Sequence, residues 1–230
     1  MTLPSELDPS ALCLHPFDPH AAPGPLRLGA SLRRQGERLE IRWRLQGALA
    51  GLRLPEPVAE PQRRDALWTS TCLECFLARP DEAGYWELNL CPSGHWTLYR
   101  LDGYRRGLRP EAAIQCLESR RLISHCQPSC GEPSLDQPSL AQASGEPKGN
   151  AAAGEEQVLE LALDLDLEAL LSTEASDAAL QLGVTAVLES VDGAISYWAL
   201  AHPAPEADFH HRAGFCVQLP APVRGWATPE

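Results

Sequence analysis

Two stretches of the 230-residue chain hold most of the side chains that could do chemistry. Residues 63–106 carry Arg64, Asp65, Trp68, Glu74, Trp86, Glu87, Asn89, Trp96, Tyr99, Tyr104 and Arg105. Residues 190–215 carry Tyr197, Trp198, His202, Asp208, His210, His211 and Arg212. Four of the six tryptophans and four of the seven histidines fall in these stretches, the mixture a ligand groove needs: flat apolar faces with a few fixed polar groups. The candidate ligand-binding residues are Arg64, Trp68, Glu74, Trp86, Glu87, Asn89, Trp96, Tyr99, Tyr104, Arg105, Trp198 and His202. Aromatic faces stack on the C–H faces of a sugar, while arginine, carboxylate and amide groups hydrogen-bond its hydroxyls in pairs. The expected ligand is a carbohydrate or sugar-like small molecule.

Other chemistries compete for the same residues. Glu74, Glu87 and Glu189 are carboxylates inside strand-like segments, where they are disfavoured unless paired. Arg64, Arg105 and Arg212 are candidate partners, and the set could equally be a scaffold of buried salt bridges. The same carboxylates could serve a glycan-active enzyme as acid and base, although no spacing fixes their separation. No serine elbow and no HExxH motif is present, so a non-catalytic binding role is preferred. Cys72-x-x-Cys75 and Cys126-x-x-x-Cys130 resemble zinc spacing, but Cys72 and Cys75 should point to opposite faces of a strand. Small buried thiols are the better reading, and no metal is expected. Bis-histidine haem remains an alternative, with His95 and His202 as the ligands to examine, since Met1 is the only methionine.

The elements that must position these groups are strands. Leu39–Leu45 follows a turn at Gln35-Gly36, and Thr71–Leu77 is a short run of apolar and small residues. Tyr85–Leu90 and His95–Leu101 are joined by Pro92-Ser93-Gly94, a hairpin signature. Val158–Leu165 alternates, with Leu159, Leu161, Leu163 and Leu165 on one face. Leu180–Val191 and Ala194–Ala201 are joined by Asp192-Gly193, a strong two-residue hairpin signal, and Phe215–Leu219 closes the series. Only Leu167–Leu171 reads as helix. Alternation places Tyr85, Glu87 and Asn89 on one face and Trp86, Leu88 and Leu90 on the other. Glu74 sits with Cys72 and Phe76. About ten strands with close turns predict an all-β, two-sheet antiparallel sandwich. Residues 127–157 are dense in Pro, Gly and Ser and without aromatics, which predicts a disordered insertion inside a single domain spanning 12–222.

Composition narrows the partners. The chain carries 19 basic against 31 acidic residues, a net charge of −12, which argues against nucleic acid or an anionic membrane as the main partner. The leading MTLPSELDPS lacks a basic and apolar signal pattern, and no run reaches membrane-spanning length, so a cytoplasmic location with mostly reduced cysteines is expected. Composition leaves the oligomeric state open.

The segments RRDALWTSTCLECF (63–76), YWELNLCPSGHWTLYRLDGYRRG (85–107) and DGAISYWALAHP followed by DFHHRAGF (192–215) resemble the bacterial DOMON-like proteins, relatives of the family-9 carbohydrate-binding modules. The pattern E-x-N-x-x-P-S-G-x-W-x-x-Y runs from Glu87 to Tyr99, and the resemblance extends from about His15 to Leu219. It implies a two-sheet β-sandwich and, across the wider superfamily, sugar or haem as ligand. Cys91 stands where the pattern carries Ser, and Cys75 where a non-thiol is usual. Such modules are usually exported, so a cytoplasmic copy departs from polysaccharide anchoring.

Overall fold

The computed structural model describes residues 12–125, 156–171 and 178–222. Nearly all of the 127–157 stretch expected to be an insertion, together with Cys126, Cys130 and Trp226, lies outside these residues.

The described chain is all-β. Twelve strands appear in the order β1 (Leu12–Pro16), β2 (Arg27–Gln35), β3 (Arg38–Gly47), β4 (Cys72–Ala78), β5 (Tyr85–Leu90), β6 (Trp96–Leu101), β7 (Arg109–Pro110), β8 (Ser119–His125), β9 (Gln157–Asp166), β10 (Leu180–Glu189), β11 (Ile195–Ala199) and β12 (Val217–Leu219). One short helix, α1 (Leu167–Leu171), follows β9. The strand pairs are antiparallel, and hydrogen bonding runs unbroken along β7-β6-β5-β4-β10-β11-β1-β2-β3-β9-β8, with β12 beside β10. The bend lies at β1: its first half, Leu12–Leu14, pairs with β2, while His15 and Pro16 pair with β11. The result is one sheet curled on itself rather than two separately bonded sheets.

Alternation explains the curl. Leu28, Leu32, Ile41, Trp43, Leu161 and Leu163 on one side of β1 share a single apolar cluster with Leu73, Leu77, Leu88, Leu98, Leu182 and Leu188 on the other. Burying these leucine faces against each other is what bends the sheet, because neither half could bury its apolar stripe alone. The outward face of β3, β8 and β9 is a charge lattice: Arg38 pairs with Asp164 at 2.6 Å, and Arg120 pairs with Glu40 at 2.7 Å and Asp164 at 2.9 Å. These exposed pairs add little stability each, but they keep that face wet.

β4, β5 and most of β10 behave differently. Every residue of β4 and β5 is buried, on both faces. Their second face carries Phe76 and Tyr85, which join Tyr99 and Leu101 of β6 in a smaller cluster capped by Phe215. Gly183 in β10 makes room for that cap: a Cβ there would lie 3.0 Å from the Phe215 ring. Thus the continuous apolar reading of Thr71–Leu77 has a structural cause, a strand covered from above and below.

Gly47 ends β3 at φ 143°, and a Cβ there would stand 2.6 Å from the Pro25 carbonyl oxygen. Both the backbone angle and the contact exclude a side chain. Gly47→Ala is expected to cost about 1–3 kcal/mol, read as a lowered urea midpoint at unchanged slope. An unchanged midpoint would mean that the chain around Pro25 does not pack as described.

Candidate functional site

A cavity of about 420 Å³ opens on the second face of β4 and β5, away from the leucine core. Register assembles its floor. Glu74 on β4 lies opposite both Thr185 on β10 and Asn89 on β5, while Glu87 lies opposite Phe76 and Tyr99. Val187 and its partner Tyr197 on β11 extend the floor to one side. Three connections form the walls. A single 3-10 turn at Leu67–Thr69 supplies Trp68, the segment after β6 supplies Arg105 and Leu108, and the segment before β12 supplies Phe209 and His210.

The walls are tied to one another. Asp208 accepts hydrogen bonds from Arg105 Nη2 at 2.8 Å and Tyr104 Oη at 2.7 Å, joining the two covering segments. Burial works against ionising Asp208, but the Tyr104 and Arg105 hydrogen bonds win and hold its pKa below the usual value. Arg105 takes a left-handed φ of 51°, and its N–H donates to Tyr85 Oη at 3.2 Å. Tyr85 Oη in turn lies 2.8 Å from His210 Nδ1. Tyr85 Oη donates to Nδ1 in the tautomer of neutral His210 that carries its proton on Nε2. That nitrogen faces Glu87 Oε2 at 3.9 Å. Burial first, and Arg105 second, push the His210 pKa down to about 4.

The floor carries two carboxyl groups in a dry setting. Glu74 is 2 % exposed and Glu87 5 %. Glu87 Oε1 accepts from Asn89 Nδ2 at 2.8 Å. Glu74 Oε2 accepts from Thr185 Oγ1 at 3.2 Å, whereas its Oε1 is buried with no hydrogen-bond partner. Burial, reinforced by the Glu87 charge, pushes the Glu74 pKa up to about 8. Burial also raises that of Glu87, against the Asn89 hydrogen bond and the Arg105 charge. The site therefore holds two buried carboxyl groups that resist ionisation, one of them with an oxygen that has no partner among the described residues.

The sequence candidates separate into three groups. Trp68, Glu74, Glu87 and Arg105 meet on the cavity. Asn89, Tyr99 and Tyr104 support it from behind: Asn89 holds Glu87, Tyr99 packs edge-on to Trp68 with centroids 5.8 Å apart, and Tyr104 anchors Asp208. Trp86, Trp96 and Trp198 instead lie in the leucine core, on the opposite face of the sheet. Their polar and ring contacts are internal: Trp86 Nε1 donates to Glu111 and stacks under Arg100, Trp96 lies under Arg63, and Trp198 Nε1 donates to Ser196. Arg64 is exposed beside His95, away from the cavity lining. His202 bonds the His15 carbonyl at 2.9 Å and packs against Phe17, also outside the lining.

The expected arginine partners are not those the carboxylates take. Arg105 is committed to Asp208, Arg212 to Gln181 and the Arg79 carbonyl, and Glu189 pairs with Arg53 and Ser70. The two imidazoles named for haem do not converge, since His95 Nδ1 accepts the Gln62 N–H at 3.1 Å and His202 is held at β1. Cys72 and Cys75 point to opposite faces, towards Asn89 and into the leucine core respectively. Phe76, Tyr197, Phe209 and His210 are lining residues beyond the candidate set. Phe76 could have been found by extending the Glu74 alternation, and Tyr197 as the residue on the strand face opposite Trp198, but the loop residues Phe209 and His210 obey no period.

No protein-family model matches the sequence, and comparison with curated proteins gave no match. Among solved structures, the chain resembles a putative carbohydrate-binding protein from Bacteroides uniformis ATCC 8492, with a TM-score of 0.52 and 12 % sequence identity over 89 % of this chain and 84 % of that one. At this identity the likeness concerns the fold.

The buried Glu74 gives a pH signature. Its pKa is higher folded, about 8, than in the unfolded chain, about 4.5, so the folded state binds more protons between those values. Stability from this group is complete below about pH 4.5 and is lost as pH rises through about 8. Glu74→Gln is expected to melt close to wild type near pH 5 and about 5 °C above it near pH 9, by calorimetry across that range. A difference that does not change with pH contradicts the buried, uncharged carboxyl.

Proposed function

We propose that the protein is a non-catalytic binding module that takes a carbohydrate or sugar-like small molecule in the cavity over β4 and β5. The observation that carries this reading is the exposure of two aromatic side chains, Trp68 at 37 % and Tyr197 at 43 %, on an open cavity whose floor offers carboxyl oxygens. Large aromatics left partly wet beside fixed polar groups are what a sugar ring needs: stacking surface for its C–H faces and acceptors for its hydroxyls. The likeness to a putative carbohydrate-binding protein supports the same reading.

The finer description of the fold belongs to this proposal. In a DOMON-like arrangement the sheet divides at β1 into a β1-β2-β3-β9-β8 layer and a β7-β6-β5-β4-β10-β11 layer, and the split pairing of β1 supports that division. Placement in the cytoplasm is supported by the six described cysteines, all free thiols.

Calorimetric titration with a panel of neutral mono- and disaccharides tests the function. At least one is expected to bind, and Trp68→Ala and Tyr197→Ala are each expected to weaken that binding about tenfold, or about 1.4 kcal/mol. Heats indistinguishable from dilution for every sugar would overturn the reading. So would binding that survives both substitutions unchanged.

A further inference from the structure

The cavity floor has a specific chemical shortage. Three donors are committed: Thr185 Oγ1 to Glu74, one N–H of the Asn89 amide to Glu87, and Arg105 Nη2 to Asp208. Among the described residues, Glu74 Oε1 lacks a hydrogen-bond partner although the residue is 2 % exposed, and Glu87 Oε2 lies 3.9 Å from His210 Nε2, beyond hydrogen-bond reach. A buried acceptor without a donor is costly, and a structure keeps one where something else supplies the donor.

From this arrangement we infer that the cavity recognises a protonated primary amine, seated between Glu74 and Glu87, so that within the carbohydrate reading on which this rests the preferred ligand class is the amino sugar with a free amine. A hydroxyl has one proton to give. An ammonium has three and can bridge both carboxyl groups while relieving their mutual repulsion. Charge-assisted bonds of this kind are about twice as strong as neutral ones. The lining agrees, since Trp68, Phe76, Tyr197 and Phe209 are all among the cavity residues, and aromatic rings favour a cation.

Among the ionisable groups around the cavity, the pKa of Glu74 is pushed up to about 8 and that of Glu87 beside it is raised by burial. His210 on the covering segment is already neutral, and Cys72, behind Glu74 on the same strand, stays a thiol because burial and Glu74 hold its pKa well up. Burial keeps the Tyr85 phenol neutral as well. Arg105 and Asp208 remain a charged pair. Seating a cation therefore favours the ionised form of Glu74, and binding strengthens as pH rises towards about 8.

The test is calorimetric titration of the intact protein with glucosamine, glucose, N-acetylglucosamine and cyclohexylamine. Glucosamine is expected to bind about tenfold or more tighter than glucose or N-acetylglucosamine. Cyclohexylamine, which stays cationic throughout, is expected to bind more tightly as pH rises from about 6 to about 8. Glu74→Gln and, independently, Glu87→Gln are expected to bring the glucosamine-to-glucose ratio close to one. If glucose binds as well as glucosamine, the amine assignment fails and the carbohydrate reading stands. If cyclohexylamine binds and no sugar does, the carbohydrate reading fails and the amine assignment stands. A ratio unchanged in both glutamine variants overturns the assignment, and the absence of binding by all four probes overturns both.

Discussion

The burial of both faces of β4 and β5 is the constraint from which the rest follows. A strand covered on one side can turn its polar residues to water, as β3 does with Arg38, Glu40, Arg42 and Arg44. β4 has no such outlet: Leu73, Cys75 and Leu77 enter the leucine core, and Cys72, Glu74 and Phe76 face the covering segments. A carboxyl group at position 74 is thereby taken out of water without a counter-charge, and burial holds it in the protonated form up to about pH 8. The covering segments must then be held in place, and the Arg105–Asp208–Tyr104 junction and the Tyr85–His210 contact do so.

This division of labour explains why one chain holds two arginine–carboxylate regimes. On the outer lattice of β3, β8 and β9, arginines and carboxylates meet in pairs exposed to solvent. At the cavity, the arginine is diverted to Asp208 and the carboxylates are left to each other. An arginine bonded directly to Glu74 would have removed the acceptor that the site presents. The dryness that raises the Glu74 pKa also strengthens any interaction with a ligand that reaches it.

Much of the architecture is legible in the sequence because period-two alternation survives where one face is buried. Tyr85–Leu90 is a strand with the expected bounds, and Leu167–Leu171 is the helix. The segments at Leu39–Leu45 and Val158–Leu165 are the central parts of β3 and β9. β1, β2, β7 and β8 carried weaker signals. β8 is an edge strand whose residues are mostly exposed, so no alternation marks it, and β2 alternates Leu with Gly, Ala and Ser, too small to stand out. The site was half legible for a related reason. Alternation grouped Glu74 with Cys72 and Phe76, and Glu87 with Tyr85 and Asn89, but it says nothing about which of these faces looks onto a ligand and which onto the core. Trp86, Trp96 and Trp198 went into the core because their indole N–H groups and ring faces found partners there. Phe209 and His210 reach the cavity only through tertiary contacts of an irregular segment.

The account rests on Glu74 being a buried, uncharged carboxyl of the cavity floor, with one oxygen unpartnered among the described residues. Carbon-detected NMR of the Glu74 side chain across pH measures this directly. The predicted midpoint is about 8, moving downward when glucosamine is added. A midpoint at the ordinary glutamate value, indifferent to ligand, would contradict it.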